Sequence, residues 1–307
     1  MILSAPVVLF TYNRPEHARE TIESLSRNRG AKNTDLFVFC DGAKDERDAA
    51  NVKLVQDYIR NLHLSSCFRS IEVSFAQKNM GLANSIIRGV SRVLESHDEV
   101  IVLEDDLVIG AGFLEYMNEA LAFFRENKTI WSISGYAPPI ELPKDYAHDL
   151  YVTPRACSTG WGTWADRWQA VDWAVADYQQ FKVDVCRRLA FNRGGLDMSA
   201  MLDAQMQGKM DSWAIRWCYS QFVHGSLTVY PVHSYVKNIG MDGSGTHSGV
   251  SEKYDTTLAL DDFRPRLTSP IPNRTILRRV RNLYLHPVTY ALSSIKRYVV
   301  RAIRSVL

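Results

Sequence analysis

The stretch Val100–Asp106, VIVLEDD, sets four apolar residues, three of them β-branched, directly before three carboxylates. That is the pattern of a buried strand whose C-terminal end delivers Glu104, Asp105 and Asp106 to one spot. In open α/β sheets, ligands sit at the carboxyl ends of the strands. Three neighbouring acids repel one another unless a cation or hydrogen-bond donors neutralise them. A hard divalent ion carrying a phosphate ligand meets that demand. A strand followed by an acidic, solvated turn is the plainer alternative.

The same pattern recurs upstream. Pro6 to Phe10 reads as a strand ending at Thr11, Tyr12, Asn13 and Arg14, and Pro15 suits the first position of a helix running to about Arg27. Asp35 to Cys40 is a second strand, stopped by Asp41-Gly42, with a helix from about Arg47 to Asn61. Ser70 to Ala76 is a third, ending at Gln77, Lys78 and Asn79, after which Gly81 and Leu82 open a helix. Phe113 to Glu126 is helical again. Strand and helix thus alternate four times in about 110 residues, which predicts a mostly parallel sheet flanked by helices. Every strand ends in polar residues, so the four ends should converge on one crevice.

The second half reads differently. Six of the seven tryptophans lie between Trp161 and Trp217, and two Gly-rich stretches, STGWGTW (158–164) and NIGMDGSGTH (238–247), suggest lid or clamp loops. From Pro272 onward there are eight Lys/Arg and no Asp/Glu, against 28 basic and 34 acidic residues before it. Val288, Leu292, Ile295, Val299, Ile303 and Val306 recur at helical spacing opposite Arg297, Arg301 and Arg304. A basic amphipathic helix of this kind suits an anionic membrane surface, or packing on the body or a second copy. Nothing in it matches a nucleic-acid-binding motif, so no nucleic-acid partner is expected. The N-terminus lacks a basic n-region and reads as a first strand, not a signal peptide. No segment approaches the length of a membrane span. The five cysteines are widely spaced without a CxxC, which predicts buried free thiols in a reducing compartment.

In order and spacing, PVVLFTYNRPEHARETIESL, VFCDGAKDE, QKNMGLANSIIRGV, VIVLEDDLVIG, the Gly-Trp-Gly run and KMDSWAIRW resemble a GT-A-fold glycosyltransferase. More narrowly, the chain resembles the N-acetylglucosaminyltransferase I family and its bacterial relatives, with general similarity to family 2 enzymes, over about residues 5–250. The resemblance implies an α/β Rossmann-like sheet with a nucleotide-sugar-binding half (1–110), an acceptor-binding half carrying the catalytic base (111–262) and a basic helical tail (263–307). It implies an inverting, metal-dependent transferase that moves a sugar from a UDP-sugar to a hydroxyl of a glycan or lipid-linked acceptor. Surface polysaccharide synthesis at the cytoplasmic membrane's inner face is the expected setting. A retaining enzyme, or a non-catalytic nucleotide-sugar-binding scaffold, remains an alternative.

Residue by residue, the resemblance makes Asp106 the ligand of a Mn2+ or Mg2+ ion, with His247 a metal or phosphate contact. Glu104 and Asp105 would lie along the donor's ribose and base. Asp41 would pair with the base, and Arg14 would stand near the base or phosphates. Thr11, Tyr12, Asn13, Lys78, Asn79 and Gly81 complete the expected donor contacts. Asp211 matches the general base; the family often has two adjacent acids there, and here the second is Ser212. Apolar neighbours would raise the pKa of Asp211 and strengthen it as a base. Gly160, Trp161 and Gly162 are expected to line the acceptor site.

Each of these residues also has a structural reading. Asp41-Gly42 is an ordinary turn signal. Arg14 can pair with Glu16, and Asn79 can cap a helix. Asp211 can cap the helix containing Trp213, and Trp161 can be core.

Overall fold

The computed structural model describes residues 4–62, 66–243 and 252–284. His247 and the tail helix expected from Val288 onward lie outside the described residues. In the first half, β1 (Val7–Thr11), α1 (Pro15–Ser26), β2 (Asp35–Cys40), α2 (Glu46–Arg60), β3 (Ser70–Phe75), α3 (Leu82–Leu94) and β4 (Glu99–Glu104) alternate as the sequence predicts. Pro15 starts α1, where its fixed φ and missing N–H cost nothing. Asp45 caps α2, its carboxylate accepting from the Arg47 and Asp48 N–H groups.

β5 (Leu107–Ile109), α4 (Phe113–Phe124), β6 (Ile130–Ser134), β7 (Leu150–Thr153) and β8 (Trp161–Trp164) follow. Then come α5 (Ala165–Gln169), α6 (Tyr178–Val183), α7 (Val185–Phe191), α8 (Met198–Met206), α9 (Trp213–Val223), β9 (Leu227–Pro231), β10 (Val236–Asn238) and α10 (Arg274–Leu283). Eight strands form one mixed sheet in the order β3-β2-β1-β4-β8-β6-β9-β7. Only β8 and β7 run against the other six. The second half therefore continues the sheet of the first. β10 pairs antiparallel with β5 as a small separate ribbon.

The alternation of side chains along each strand builds two cores. Val7 and Leu9 of β1 face α1, α2 and α4, together with Val38, Ile101 and Leu103. Val8 and Phe10 face α3 and α9, together with Val100, Val102, Trp161, Trp213 and Trp217. Burial on both faces explains why these strands read as continuous apolar runs. Among the described residues, no helix is long and apolar enough to cross a membrane. All five cysteines are free. Cys40, Cys157 and Cys218 are buried, whereas Cys186 is exposed, contrary to the expectation of buried thiols throughout.

One topological fact positions the site. Strand order runs outward from β1 to β3, then returns to place β4 on the other side of β1. The crevice at such a reversal is the place where ligands bind in open α/β sheets. Here it lies between the ends of β1 and β4, which carry Tyr12–Arg14 and Glu104–Asp106.

Candidate active site

A cavity of about 730 Å3 opens at these strand ends. Thr11, Tyr12, Asn13, Arg14, Asp41, Asn79, Gly81, Glu104, Asp105, Asp106 and Asp211 all line it. Residues 200 positions apart in the chain thus meet around one space. Its far wall is apolar and aromatic, with Phe10, Phe39 and Phe75 beside Arg88 and Arg92. Phe10 and Phe39 stack at 5.5 Å.

The acid triplet is partly neutralised. The Arg14 guanidinium donates to Asp105 Oδ1 at 2.7 Å and to Asp106 Oδ2 at 3.1 Å. The Tyr12 N–H donates to Asp105 Oδ2 at 2.9 Å, tying the end of β1 to the end of β4. Burial opposes the charge on Arg14, but Asp105 and Asp106 outweigh it and raise its pKa. Burial raises the Asp105 carboxyl above its ordinary range, and Arg14 offsets only part of that rise. Although its backbone belongs to the β1–β4 ladder, the Glu104 carboxylate accepts no hydrogen bond among the described residues. Burial, then the charges of Asp106 and Asp105, push it up to about 8. Arg14 is thus set against three acids, and pairs with two of them rather than with Glu16, which pairs with Arg19.

That surplus of negative oxygen donors fits a hard divalent cation. Among the described residues, no three His, Cys, Asp or Glu side chains form a metal cage. A cation at Asp106 would therefore draw most of its ligands from phosphate and water, as Mg2+-type sites at nucleotides do. The loop carrying the second Gly-rich stretch touches this point. The Ile239 N–H donates to the Asp106 backbone carbonyl at 2.8 Å. A Cβ on Gly240 would collide with the Asp106 carboxylate and the Arg14 guanidinium, so glycine permits this approach.

Asp41 is buried and fully engaged. It accepts from the Met80 N–H at 2.9 Å, from Ser85 Oγ at 3.3 Å and from the Gly42 N–H at 2.9 Å. It clamps the β3–α3 connection onto the end of β2, while still lining the cavity. Asn79 does not cap α3; its amide donates to the Gly42 carbonyl at 2.9 Å. Lys78 is exposed and does not line the cavity.

Asp211 stands at the rim and is exposed. The apolar surround expected of it is absent, because Trp213 turns into the core. Nor does Asp211 cap its own helix: the Ser212 hydroxyl accepts from the Ile215 N–H and does so. Asp211 Oδ2 instead accepts from the Ala83 N–H at 3.3 Å, at the start of α3. Helix N-termini favour negative charge. Gly81, at φ +78°, makes room there, since a Cβ would lie 2.9 Å from Asp211 Oδ2.

The expected acceptor loop Gly160–Gly162 is not a loop at the cavity. Trp161 and Gly162 belong to β8, and Trp161 is 1% exposed. It stacks on Trp213 at 4.8 Å and on Trp168 at 5.8 Å. A Cβ on Gly162 would meet Met117 Cε and the Val100 carbonyl at 3.0 Å, so this glycine serves packing. The stretch is core, and its aromatic face is not available to a sugar.

Asp48 was not anticipated. It accepts from the Tyr12 hydroxyl at 2.6 Å and from the Asn13 amide at 2.8 Å. Burial and the bond to Asp48 push the Tyr12 phenol up to about 12. In the sequence Asp48 looks like any acid in the first turn of a helix, so nothing local marks it.

Sheet order and strand-end carboxylates together define an α/β protein with a ligand crevice where its strand order reverses. Within that class the chain belongs to the GNT-I family, whose model matches residues 2–202. Comparison with curated protein sequences gives no match. Among solved structures, it is similar to the mannosyltransferase PcManGT from Pyrobaculum calidifontis in complex with GDP-Man and Mn2+. That match has 13% identity and a TM-score of 0.36, over 52% of this chain and 44% of that one. It is also similar to S. aureus TarS, at 17% identity and a TM-score of 0.32, over 50% of this chain and 25% of that one. The chain thus spans less than half the length of either protein.

Proposed function

We propose that this protein is an inverting glycosyltransferase that moves a sugar from a UDP-sugar to a hydroxyl of a glycan or lipid-linked acceptor. The observation that carries the reading is the meeting of Glu104, Asp105, Asp106, Asp41 and Asp211 around one cavity at the reversal point of the sheet. The family membership supports the same chemistry.

In this reading the apolar wall of Phe10, Phe39 and Phe75 takes the nucleoside end of the donor. Asp106 and the donor's phosphates would hold a divalent cation, Mn2+ or Mg2+, which when bound offsets the negative charge developing on the leaving diphosphate. Arg14 bridges Asp105 and Asp106, the Tyr12 N–H ties Asp105 to the end of β1, and both acids line the cavity. Asp211, held by the Ala83 N–H, takes the proton of the acceptor hydroxyl as the new bond to the anomeric carbon forms. We also propose that the basic tail places the enzyme on the inner face of an anionic membrane, where a lipid-linked acceptor would be within reach.

The test is a panel of nucleotide sugars incubated with the full chain, with and without EDTA, alongside UDP calorimetry. Turnover that chelation abolishes supports the reading; equal turnover in chelator removes Asp106 as a metal ligand. UDP binding with no turnover on any acceptor points to a scaffold. NMR of the product's anomeric linkage distinguishes inversion from retention.

A further inference from the structure

The hairpin of α6 and α7 carries an outward apolar tip that the donor chemistry does not use. Its inner face is anchored: Phe181 and Phe191 are buried, and both pack edge-on against Tyr219. Two ion pairs brace it, Arg187 to Asp177 at 2.8 Å and Arg188 to Asp203 at 2.7 Å. Its outer face shows Val183 at 77%, Val185 at 67% and Leu189 at 66% exposure, with Cys186 also exposed. Val185 and Leu189 are one helical turn apart and share a face. Single exposed apolar residues are normal, but three within seven consecutive positions on one rigid tip are a patch.

The surrounding charge selects the occupant. The braced arginines are already paired, and the Asp184 carboxylate is turned back to cap α7. Lys182 and Arg193 flank the tip, are exposed, and form no ion pair among the described residues. The tip is therefore apolar at its point, and its edge carries two unpaired cations, Lys182 and Arg193, against the one Asp184 carboxylate, a net positive charge. Three or four side chains are also far too few for a stable dimer, which needs about 800 Å2 per partner. An apolar point with a cationic edge matches the interface of an anionic bilayer, where chains accept the aliphatic groups and headgroups accept the cations.

We propose that the α6–α7 tip inserts Val183, Val185 and Leu189 into the interface of an anionic lipid bilayer. This deepens the membrane placement proposed above and rests on it, but through a surface separate from the tail. α7 packs on α8, and α8 on α9, whose N-terminal approach carries Asp211. Docking the tip would therefore orient the lobe bearing the base toward the lipid.

The test uses the full chain with Cys67→Ser, leaving Cys186 as the exposed thiol, labelled with an environment-sensitive fluorophore. Vesicles of phosphatidylcholine with and without phosphatidylglycerol are then added. The expected result is a blue shift of the label on anionic vesicles only. In unlabelled protein, V185E/L189E should weaken vesicle cosedimentation about tenfold or more, and K182Q/R193Q about tenfold or more. Cosedimentation with an unshifted label and unaffected variants overturns the proposal while leaving tail binding intact. No cosedimentation at all overturns both. A label shift that grows with protein concentration in the absence of vesicles assigns the tip to a self-contact and likewise overturns it.

Discussion

Arg14→Met should destabilise the protein strongly in the absence of divalent cations. Arg14 bridges Asp105 and Asp106, and the three side chains retain only 17%, 5% and 15% exposure. At an effective dielectric near 20, opposite charges about 4 Å apart attract by ~4 kcal/mol. Removing one member of a buried ion pair costs about 3–5 kcal/mol, because the remaining charge is left desolvated. A chain of 307 residues loses about 1.5 °C in melting temperature per kcal/mol, so the variant should melt about 5–8 °C lower. Adding Asp105→Asn removes one of the stranded charges and should recover roughly half of that loss, by the same pairwise logic. Melting in EDTA, followed by circular dichroism, makes the comparison. If Arg14→Met melts within about 1 °C of the parent, or if Asp105→Asn makes it worse, the triplet is not held together by this guanidinium.

Three other substitutions test two site carboxylates and the core beneath them. Asp211→Asn should lower transfer by about 10²–10⁴-fold while leaving UDP affinity unchanged, since the residue serves the acceptor's proton and not the donor; steady-state kinetics and calorimetry read the two separately. Glu104 ionises near 4.5 in an unfolded chain and near 8 in the fold, so the folded state holds an extra proton between those values and stability falls as pH rises through them. Glu104→Gln in EDTA should therefore match the parent below that window and exceed it at pH 9; equal melting at both ends would contradict a buried, charge-crowded carboxyl. Trp161→Ala should cost about 3–5 kcal/mol in denaturant unfolding, as a core truncation does. Acceptor KM in the folded fraction should stay unchanged, and a selective rise in KM would return Trp161 to the acceptor site.

The sequence alone determined the first four strands, the helices between them and the polar residues at their ends. Apolar runs that stop at acids, amides or Gly are local patterns, and the chain's own neighbours enforce them. Asp41, Glu104, Asp105 and Asp106 could be named as cavity residues for that reason. Tertiary structure alone decided what each one touches. Arg14 meets Asp105 across 91 positions, and Asp211 caps α3 across 128. Trp161 lies inside because β8 inserts between β4 and β6, which no Gly-Trp-Gly spacing announces. Asp48 joins the site only because α2 packs beside the end of β1, placing a first-turn acid over Tyr12. Periodicity records which face of an element is buried; the partner it meets depends on how distant elements share the same space, and that is settled only by packing.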